Sequence, residues 1–382
     1  MPSFLLYPFM KFFHLSDLHL GKRLNKFPLI DDQRFVLEQV IVYMDEEKPD
    51  AVIIAGDVYD KSIPSVEAVQ LFDSFLGEIA KRKITALVVS GNHDSAERNA
   101  FGAQLMQLSG VYLSPVFDGI PQKITLHDEN GNVNFYLLPF LKSIQVTHAF
   151  PDQNVSDITS AMQTIISNIE LNRNERNVLI AHQFVAGGEI CDSEEIFIGG
   201  SDNIDAQIFM PFDYVALGHL HKAQFVDNQK IRYSGTLLKY SFSEICHHKS
   251  LTVVELKEKE NLNIRTIPIV PKHDLREIKG NFFDLIEVED NSPNDYLLVT
   301  LTDEDEVPDV LAKLREKYPN IMHLRYDNSR TQQTQTIEQG AEVEKKLPLE
   351  LFADFFQIQN GRELSPEQYE LVEKLIKLIW EE

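Results

Sequence analysis

Five short polar segments each follow an apolar, strand-like run, at residues 11–15, 51–55, 84–89, 178–180 and 214–217. The segments are Asp17-Leu18-His19, Gly56-Asp57, Gly91-Asn92-His93-Asp94, Ala181-His182 and Gly218-His219-Leu220-His221. Continuous apolar runs are typical of buried parallel strands, and open α/β sheets collect functional residues at the carboxyl ends of their strands. We therefore expect these side chains to converge on one sheet edge and to form a ligand set for two divalent cations.

The residue types of this set indicate its chemistry. Two cations about 3.5–4 Å apart need a shared anionic ligand, and Asp57 is the natural bridge because no histidine accompanies it in its segment. Alternate residues of an extended chain point the same way, so Asp17 with His19, or His219 with His221, can chelate one ion or divide between two. Nitrogen and oxygen donors without thiolate suit Mn, Fe or Zn better than Mg or Ca. The reaction that most needs such a pair of ions is hydrolysis of a phosphate ester.

These segments resemble the signature of the calcineurin-type metallophosphoesterase superfamily. Within it, the chain is similar to the SbcD family, the nuclease subunits of bacterial SbcCD DNA-repair complexes. The supporting segments are residues 16–22 (SDLHLGK), 55–60 (AGDVYD), 232–236 (RYSGT), 240–244 (YSFSE) and the tail from 350 to 382. The resemblance implies a Mn-dependent DNA phosphodiesterase of DNA repair, recombination and replication, with double-strand exonuclease and single-strand or hairpin endonuclease activity.

The resemblance also implies two sets of metal ligands that share one residue. They are Asp17, His19, Asp57 and His221 for one ion, and Asp57, Asn92, His182 and His219 for the other. It gives His93 the role of protonating the leaving oxygen or stabilising the transition state, with Asp94 as its orienting partner. Asp60 stands where archaeal and eukaryotic relatives usually carry a second catalytic histidine, and no catalytic role is assigned to it.

The net charge of −23 excludes a simple nucleic-acid-binding protein, since duplex affinity comes mainly from Lys and Arg. Two divalent ions and a basic partner subunit would offset this charge at the site. Candidate DNA contacts stand on the loops that should surround the site: Lys22, Arg23, Arg98 and Lys222. Solvated loop charges are an equally good interpretation of each.

The expected fold is α/β, a two-sheet metallophosphoesterase sandwich flanked by helices, with a small α/β capping domain and a helical tail. Periodicity predicts helices at 32–47 and 65–82 and a hairpin of 124–126 with 134–138. Later strands at 230–234, 250–256 and 262–267 indicate a second sheet. The nuclease domain should span 10–275 and the capping domain 276–336, with strands at 296–301 and 322–326 around a helix at 307–317.

The tail, 337–382, combines two apolar helix faces. Ser365-Pro366-Glu367-Gln368 has the pattern of a capping box with proline at the first helical position. The apolar residues are Phe352, Phe355 and Phe356 on one helix and Leu371, Leu375 and Ile379 on the next. Both faces could dock on their own domain, but so much apolar surface behind a polar linker favours a partner. The resemblance implies the coiled-coil base of an SbcC-like ATPase, and a homodimer of the nuclease subunit.

Cysteine usage and hydropathy bound the compartment. Cys191 and Cys246 give no disulfide framework, and no apolar run approaches the roughly 18 residues of a membrane span. We expect a cytoplasmic protein, with residues 1–9 as an extension and not a targeting segment. His14 reads as a packed strand residue, and His247-His248 as surface or loop residues.

Two other functions remain open from the sequence. One is a dimetal phosphodiesterase or phosphatase acting on a small phosphoester. It is weakened because Val58-Tyr59-Asp60 replaces the arginine that follows the Gly-Asp motif in Ser/Thr protein phosphatases. The other is a catalytically silent scaffold for the partner, against which the complete ligand set argues.

Overall fold

The computed structural model describes residues 8–192, 194, 203–329 and 331, and positions 349, 352–353, 356, 364–366, 368–369, 371–372 and 374–375 of the C-terminal segment. The strands, numbered in chain order, are β1 (Met10–Leu15), β2 (Arg23–Leu24), β3 (Phe27–Pro28), β4 (Ala51–Ala55), β5 (Thr85–Val89), β6 (Val111–Leu113), β7 (Gln122–Asp128), β8 (Gly131–Leu138), β9 (Arg176–His182), β10 (Tyr214–Gly218), β11 (Gln224–Val226), β12 (Asn228–Tyr233), β13 (Ser250–Leu256), β14 (Leu262–Pro268), β15 (Leu275–Gly280), β16 (Tyr296–Leu301) and β17 (Ile321–Tyr326). The α-helices are α1 (Ile30–Glu47), α2 (Val66–Lys81), α3 (Ala96–Asn99), α4 (Ala103–Met106), α5 (Ser143–Ala149), α6 (Ile158–Asn168), α7 (Phe282–Glu287) and α8 (Val310–Arg315).

The two longest helices confirm the predictions at 32–47 and 65–82. α1 has an acidic first turn, which its dipole favours, and ends at Lys48 in the left-handed conformation. α2 begins after Ser65, whose hydroxyl accepts a hydrogen bond from the N–H of Ala68 at 3.2 Å. Both helices bury one apolar face at the predicted 3.6-residue period.

The first sheet has the strand order β14-β13-β1-β4-β5-β6. Strands β1, β4, β5 and β6 are parallel, while β13 pairs antiparallel with β1 and β14 antiparallel with β13. The prediction that 250–256 and 262–267 belong to the second sheet is therefore wrong. Their apolar pattern identifies strands with a buried face, but it does not specify which distant strand they pair with.

The second sheet has the order β11-β12-β10-β9-β8-β7. Strands β8, β9, β10 and β12 are parallel, and the antiparallel pair β7–β8 confirms the predicted hairpin. His182 ends β9 opposite Gly218, which ends β10. Polar residues from both strands therefore emerge side by side.

The two sheets pack face to face through one buried apolar cluster. It includes Phe12 and Ile53 from the first sheet and Phe135, Ile180 and Tyr214 from the second. Helices α1 and α2 cover the outer face of the first sheet, and α6 covers that of the second. This arrangement confirms the predicted two-sheet α/β sandwich flanked by helices.

His14 lies on β1, fully buried between the sheets. Its Nδ1 is 2.8 Å from the Tyr214 hydroxyl and its Nε2 is 3.1 Å from the carbonyl of Leu217. A carbonyl can only accept, so Nε2–H donates to Leu217 and the tyrosine hydroxyl donates to Nδ1. Both ring nitrogens are satisfied, as expected for a packed strand residue. Burial, with a smaller effect of Arg232, lowers the pKa of His14 to about 3.

A third sheet, β15-β16-β17, contains the predicted strands at 296–301 and 322–326, and α8 is a shorter form of the predicted helix. Its contact with α1 centres on the buried carboxylate of Asp32. This carboxylate accepts hydrogen bonds from the Tyr296 hydroxyl and from Nδ1 of His273, each at 2.8 Å.

The chain divides into two compact units, and the second contains residues 280–282, 301–308 and the described positions from Tyr326 onward. Within it, Ser365 N–H donates to Gln368 Oε1 at 3.0 Å and Gln368 N–H donates to Ser365 Oγ at 3.3 Å, which is the predicted capping box. The exposed fractions of Phe352, Leu371 and Leu375 are 41%, 59% and 48%.

Phe356 is half-buried, and the predicted apolar positions Phe355 and Ile379 lie outside the described residues. A search of the described residues for a helix both long and apolar enough to cross a membrane finds none.

Candidate metal centre

Three of the predicted ligands lie on loops that leave the first sheet. Asp17 follows β1, Asp57 follows β4 and Asn92 follows β5. The first two loops are joined by main-chain hydrogen bonds from Asp17 N–H to Gly56 at 3.0 Å and from His19 N–H to Asp57 at 2.9 Å. Asp17, His19 and Asp57 all have positive φ, at 53°, 43° and 48°. Such backbone conformations are uncommon outside glycine and persist where the surrounding structure imposes them, often at functional sites.

The remaining predicted ligands leave the second sheet. His182 is the last residue of β9, and His219 and His221 follow β10. The prediction that all five polar segments meet on one sheet edge is therefore wrong: the carboxyl ends of two facing sheets meet instead. Gly218 permits this approach, because a Cβ there would overlap the main-chain carbonyl of Ala55 in the first sheet.

The carboxylate of Asp57 lies at the centre of the cluster. Its Oδ1 accepts a hydrogen bond from the N–H of His93 at 2.9 Å, which orients the carboxylate plane. Its Oδ2 lies 3.3 Å from Nε2 of His182 and 3.7 Å from Nε2 of His19. One carboxylate oxygen thus faces ligands from both sheets.

On one side of Asp57 lie Asp17, His19 and His221. The Nε2 atoms of His19 and His221 are 3.2 Å apart, and the ligand atoms of all three residues lie within 4.8 Å of one another. All three side chains are buried. This group offers one carboxylate and two imidazoles to a single point.

On the other side of Asp57 lie Asn92, His182 and His219. The Oδ1 of Asn92 is 3.0 Å from Nε2 of His182 and 3.0 Å from Nδ1 of His219. The amide oxygen therefore stands between two imidazole nitrogens. With the first group, the structure brings all seven predicted ligands together around Asp57.

Burial and mutual contact move the pKa values of these groups in different directions. Burial, with a smaller effect of His182, lowers the pKa of His219 to about 3. Burial also lowers the pKa of His19 well below its ordinary value. At His182 the nearby carboxylate of Asp57 outweighs burial and raises the pKa to about 9, and the same contact outweighs burial at Asp57 and lowers its pKa. Neutral imidazoles at His19 and His219 keep a lone pair available for a metal ion.

The donor set fits a pair of divalent ions. Two carboxylates, four imidazoles and one amide oxygen converge, and no cysteine is among them. Nδ1 of His19 is buried and has no hydrogen-bond partner among the described residues. Two imidazole nitrogens 3.2 Å apart, as in His19 and His221, need either a proton or a cation between their lone pairs. These residues therefore suit a site for two metal ions with nitrogen and oxygen ligands.

Contacts to the second ring nitrogens hold two of the imidazoles in place. Nδ1 of His182 donates to the carbonyl of Ala55 at 2.9 Å, and Nδ1 of His221 is 3.2 Å from Oε1 of Glu244. Gln33, on α1, donates to two main-chain carbonyls of the loop after β1. Sequence reasoning did not single out Glu244 or Gln33. The signal for Glu244 is its place in the YSFSE segment; a glutamine in a first helical turn has no comparable signal.

His93 lies at the open side of the cluster. Its side chain is 17% exposed, against 3% for Asp57. Nδ1 is 3.0 Å from the main-chain carbonyl of Asp60, and Nε2 is 3.9 Å from Oδ2 of Asp57. The Asp60 carbonyl therefore orients the imidazole so that Nε2 faces the cluster.

Asp94 has a different role from the predicted one. Its carboxylate accepts hydrogen bonds from the N–H groups of Val58 at 3.1 Å, Tyr59 at 3.0 Å and Gly91 at 2.9 Å. The prediction that Asp94 orients His93 is corrected, because its oxygens are occupied by these loop amides. Asp94 instead connects the loop after β4 to the loop after β5.

The four candidate DNA contacts fall into two pairs. Lys22 forms an ion pair with Asp60 at 2.8 Å, and Lys222 is paired with a neighbouring glutamate. Arg23 and Arg98 are exposed, and neither is ion-paired with a side chain in the part of the chain that the structure describes. The arginines are thus more available to phosphates than the lysines are.

Comparison with known proteins agrees with this site. Residues 10–223 match the calcineurin-like phosphoesterase family, and residues 271–360 match the SbcD_C family, described as type 5 capsule protein repressor C-terminal domain. The SbcD component of the SbcCD nuclease of Staphylococcus epidermidis is 32% identical over 97% of this chain and 99% of that protein. The protein of the same name from Staphylococcus saprophyticus is 31% identical over 98% and 99%. Among solved structures, a dimetal phosphatase from Danio rerio aligns with a TM-score of 0.41 at 12% identity, over 69% of this chain and 99% of that one.

The sequence relationship extends over nearly the full length of both staphylococcal proteins. The part that matches the phosphoesterase family contains every predicted metal ligand. The catalytic class is accordingly the metal-dependent hydrolysis of phosphodiester bonds. The chain belongs to the SbcD family of nucleases, within the calcineurin-like metallophosphoesterases.

Proposed function

We propose that this chain is the nuclease subunit of an SbcCD-type complex that cuts DNA in repair and recombination. The observation that carries the proposal is the position of Asp57 between two groups of ligands, with His93 beside them. Hydrolysis of a phosphodiester by two ions needs this bridged arrangement. By resemblance, the activities are double-strand exonuclease and single-strand or hairpin endonuclease.

The proposed ligand sets share Asp57. They are Asp17, His19, Asp57 and His221 for one ion, and Asp57, Asn92, His182 and His219 for the other. We propose Mn as the metal, because nitrogen and oxygen donors without thiolate suit it. When bound, the two ions would lower the pKa of water and neutralise charge on the phosphoryl oxygens.

We propose that His93 supplies the proton that the leaving oxygen needs. The carbonyl of Asp60 can only accept, so the hydrogen bond of 3.0 Å requires a proton on Nδ1. The imidazolium would then donate its second proton from Nε2, which faces the cluster. Its partial exposure leaves this atom accessible to a substrate.

DNA binding by the lone chain should be weak. The net charge is −23, and two of the four candidate basic contacts are already ion-paired. Arg23 and Arg98 remain as the better candidates for phosphate contact. We therefore propose that an SbcC-like coiled-coil ATPase supplies most of the DNA contacts. A DNA substrate also assigns the protein to the cytoplasm.

The domain organisation that we propose is nuclease at 10–275, capping at 276–336 and a helical tail at 337–382. The third sheet, separate from the two sheets of the sandwich, supports the capping domain. Exposed Phe352, Leu371 and Leu375 support the tail as the docking element for the ATPase. Each of these apolar side chains remains accessible to a partner.

We further propose that two copies of the chain associate through an apolar surface on α2 and the α3–α4 segment. Its most exposed members are Val66, Phe101, Leu105 and Leu108, at 68%, 85%, 74% and 86%. Phe101 also lines a cavity of about 510 Å³ that reaches Val69 on α2. Such contiguous apolar exposure is typical of an interaction surface. Phe101→Asp with Leu105→Lys should convert a dimer to a monomer in sedimentation analysis.

The alternative is an enzyme for a small phosphoester. Turnover of the lone chain on duplex DNA and on a chromogenic phosphodiester, with Mn and with Mg, separates the two. DNA cleavage that requires Mn and is abolished by Asp57→Ala supports the proposed function. Rapid turnover of the chromogenic ester with no DNA cleavage, with or without an SbcC-like partner, would reject it.

A further inference from the structure

The imidazole of His221 is bounded by polar atoms on both sides. Nε2 faces Nε2 of His19 at 3.2 Å, and Nδ1 faces Oε1 of Glu244 at 3.2 Å. Both side chains that face the ring are buried. Glu244 therefore contacts the nitrogen of His221 that points away from the cluster.

Glu244 is itself held by a buried cation. Nζ of Lys249 donates to Oε2 of Glu244 at 2.5 Å, to Oγ1 of Thr236 at 2.6 Å and to the main-chain carbonyl of His221 at 3.0 Å. The side chains of Glu244 and Lys249 are 0% and 7% exposed. The three ammonium protons thus have three acceptors, and the lysine contacts both the carboxylate and the main chain of the same histidine.

The support of His182, on the other side of Asp57, is different. Nδ1 of His182 meets a neutral carbonyl at 2.9 Å. A carboxylate in the same position is a stronger acceptor, and it makes the imidazole a more basic ligand while holding its tautomer and orientation. The two sides of Asp57 are therefore supported differently, with the charged support on the side of His221.

We propose that Glu244, held by Lys249, is a positioning residue that orients His221 and strengthens metal binding at the Asp17, His19 and His221 position. This inference rests on the proposed assignment of His221 as a metal ligand. It predicts an asymmetry between the two ions, since Glu244 contacts a ligand of this position, while His182 of the other position is held by a main-chain carbonyl.

Titration of the apo protein with Mn²⁺, followed by calorimetry and by electron paramagnetic resonance, tests the inference. Glu244→Gln should weaken one of the two Mn²⁺ ions by about 10- to 100-fold, the usual effect of removing an outer-shell partner. The other ion should bind as in the wild type. Asp128→Asn is the matched control: Asp128 is also buried and ion-paired, with Arg176 at 2.6 Å, but on the hairpin strand β7. It should lower stability and leave both Mn²⁺ affinities unchanged.

Loss of one charge could unfold the region, because Lys249 would remain buried and unpaired. The double variant Glu244→Gln/Lys249→Met removes both charges and should fold, with the same selective loss of Mn²⁺ affinity. Nitrogen-15 NMR of the wild-type apo protein adds a measurement without any substitution. His221 should show a proton on Nδ1.

Each failure has its own signature. Two unchanged Mn²⁺ affinities in the folded variants, or a proton on Nε2 of His221 in place of Nδ1, would overturn the positioning role. A wild-type chain that binds fewer than two Mn²⁺ ions would overturn the proposed function, and the inference with it.

Discussion

Nδ1 of His93 hydrogen-bonds to the main-chain carbonyl of Asp60, 3.0 Å away. The loop after β4 provides this carbonyl and also carries Asp57, whose Oδ1 accepts the N–H of His93 at 2.9 Å. One loop thus positions both the central carboxylate and the imidazole beside it. Because the acceptor is a main-chain group, the orientation of His93 depends on the loop conformation and not on the side chain at position 60.

Asp57→Ala and His93→Leu should both abolish nuclease activity, for different reasons. Loss of the central carboxylate should empty at least one metal position, since Asp57 faces ligands from both sheets. Loss of the His93 imidazole should leave metal content unchanged and lower turnover by roughly 10²- to 10⁴-fold, the usual contribution of general acid catalysis. Elemental analysis and turnover on duplex DNA measure the two effects.

His127→Leu is the control for these substitutions, because His127 is exposed on β7. It should change neither metal content nor turnover. Unchanged metal stoichiometry in the Asp57 variant would contradict the bridging assignment. Loss of metal from the His93 variant would show that His93 acts as a ligand.

Asp94→Asn should destabilise the protein and lower activity while leaving the chain folded. The amide keeps one oxygen but directs an NH₂ group towards main-chain donors, and three N–H groups now bond to this carboxylate. Leaving one buried donor unsatisfied costs about 1–3 kcal/mol. Urea denaturation measures the change. A variant as stable as the wild type would show that Asp94 does not hold the two loops together.

The sequence predicted the strands of the site well because the site depends on local features. Each polar segment directly follows an apolar run, so Asp17, Asp57 and His182 could be placed at strand ends. It failed where long-range pairing decides the result. Nothing local to 250–256 indicates that this strand pairs antiparallel with β1, which lies about 240 residues earlier.

The same distinction explains the error about Asp94. Adjacency in sequence favoured a contact between Asp94 and His93, yet the acceptor for His93 is a main-chain carbonyl on another loop. A carbonyl is present at every residue, so residue type carries no signal for it. Glu244 was missed for a related reason, because its role depends on a fold that brings it beside His221.

His14 should make the protein sensitive to acid. Burial lowers its pKa to about 3 in the folded chain, whereas the unfolded chain has the ordinary value of about 6.5. The unfolded state therefore binds the proton first as the pH falls below 6.5, and stability decreases with decreasing pH. Between pH 6.5 and 4.5 the loss from this one group is about 2–3 kcal/mol.

His14→Gln removes this titration while keeping one donor and one acceptor for Leu217 and Tyr214. The variant should be less stable at pH 7.5 but should lose less stability on acidification. The free energy of unfolding of both proteins, measured in urea from pH 7.5 to 4.5, gives the difference in slope. Parallel curves would mean that His14 does not stay neutral in the folded state.

Removal of residues 338–382 should leave weak nuclease activity and abolish association with the ATPase partner. The exposed side chains of Phe352, Leu371 and Leu375 are candidate anchors, and burying each provides about 1.5–3 kcal/mol before ordering costs. The full chain with Leu371→Asp and Leu375→Asp is the matched variant. Co-purification with the partner at full stoichiometry after truncation would show that the tail docks on its own chain.

The partner should change the salt dependence of DNA binding as well as the rate. The lone chain has a net charge of −23 and few unpaired basic groups near the site, so it should bind duplex weakly and depend on divalent ions. Each phosphate contact that the ATPase adds releases counterions, so the complex should show a steeper decrease in affinity with increasing salt. Cleavage at duplex ends should then accelerate with ATP, because positioning is what the lone subunit lacks. Binding measured between 50 and 200 mM salt, on the order used for such slopes, and end cleavage with and without ATP test both effects. If the complex with ATP cuts DNA no faster than the lone chain, the assignment to an ATP-dependent DNA-repair complex fails.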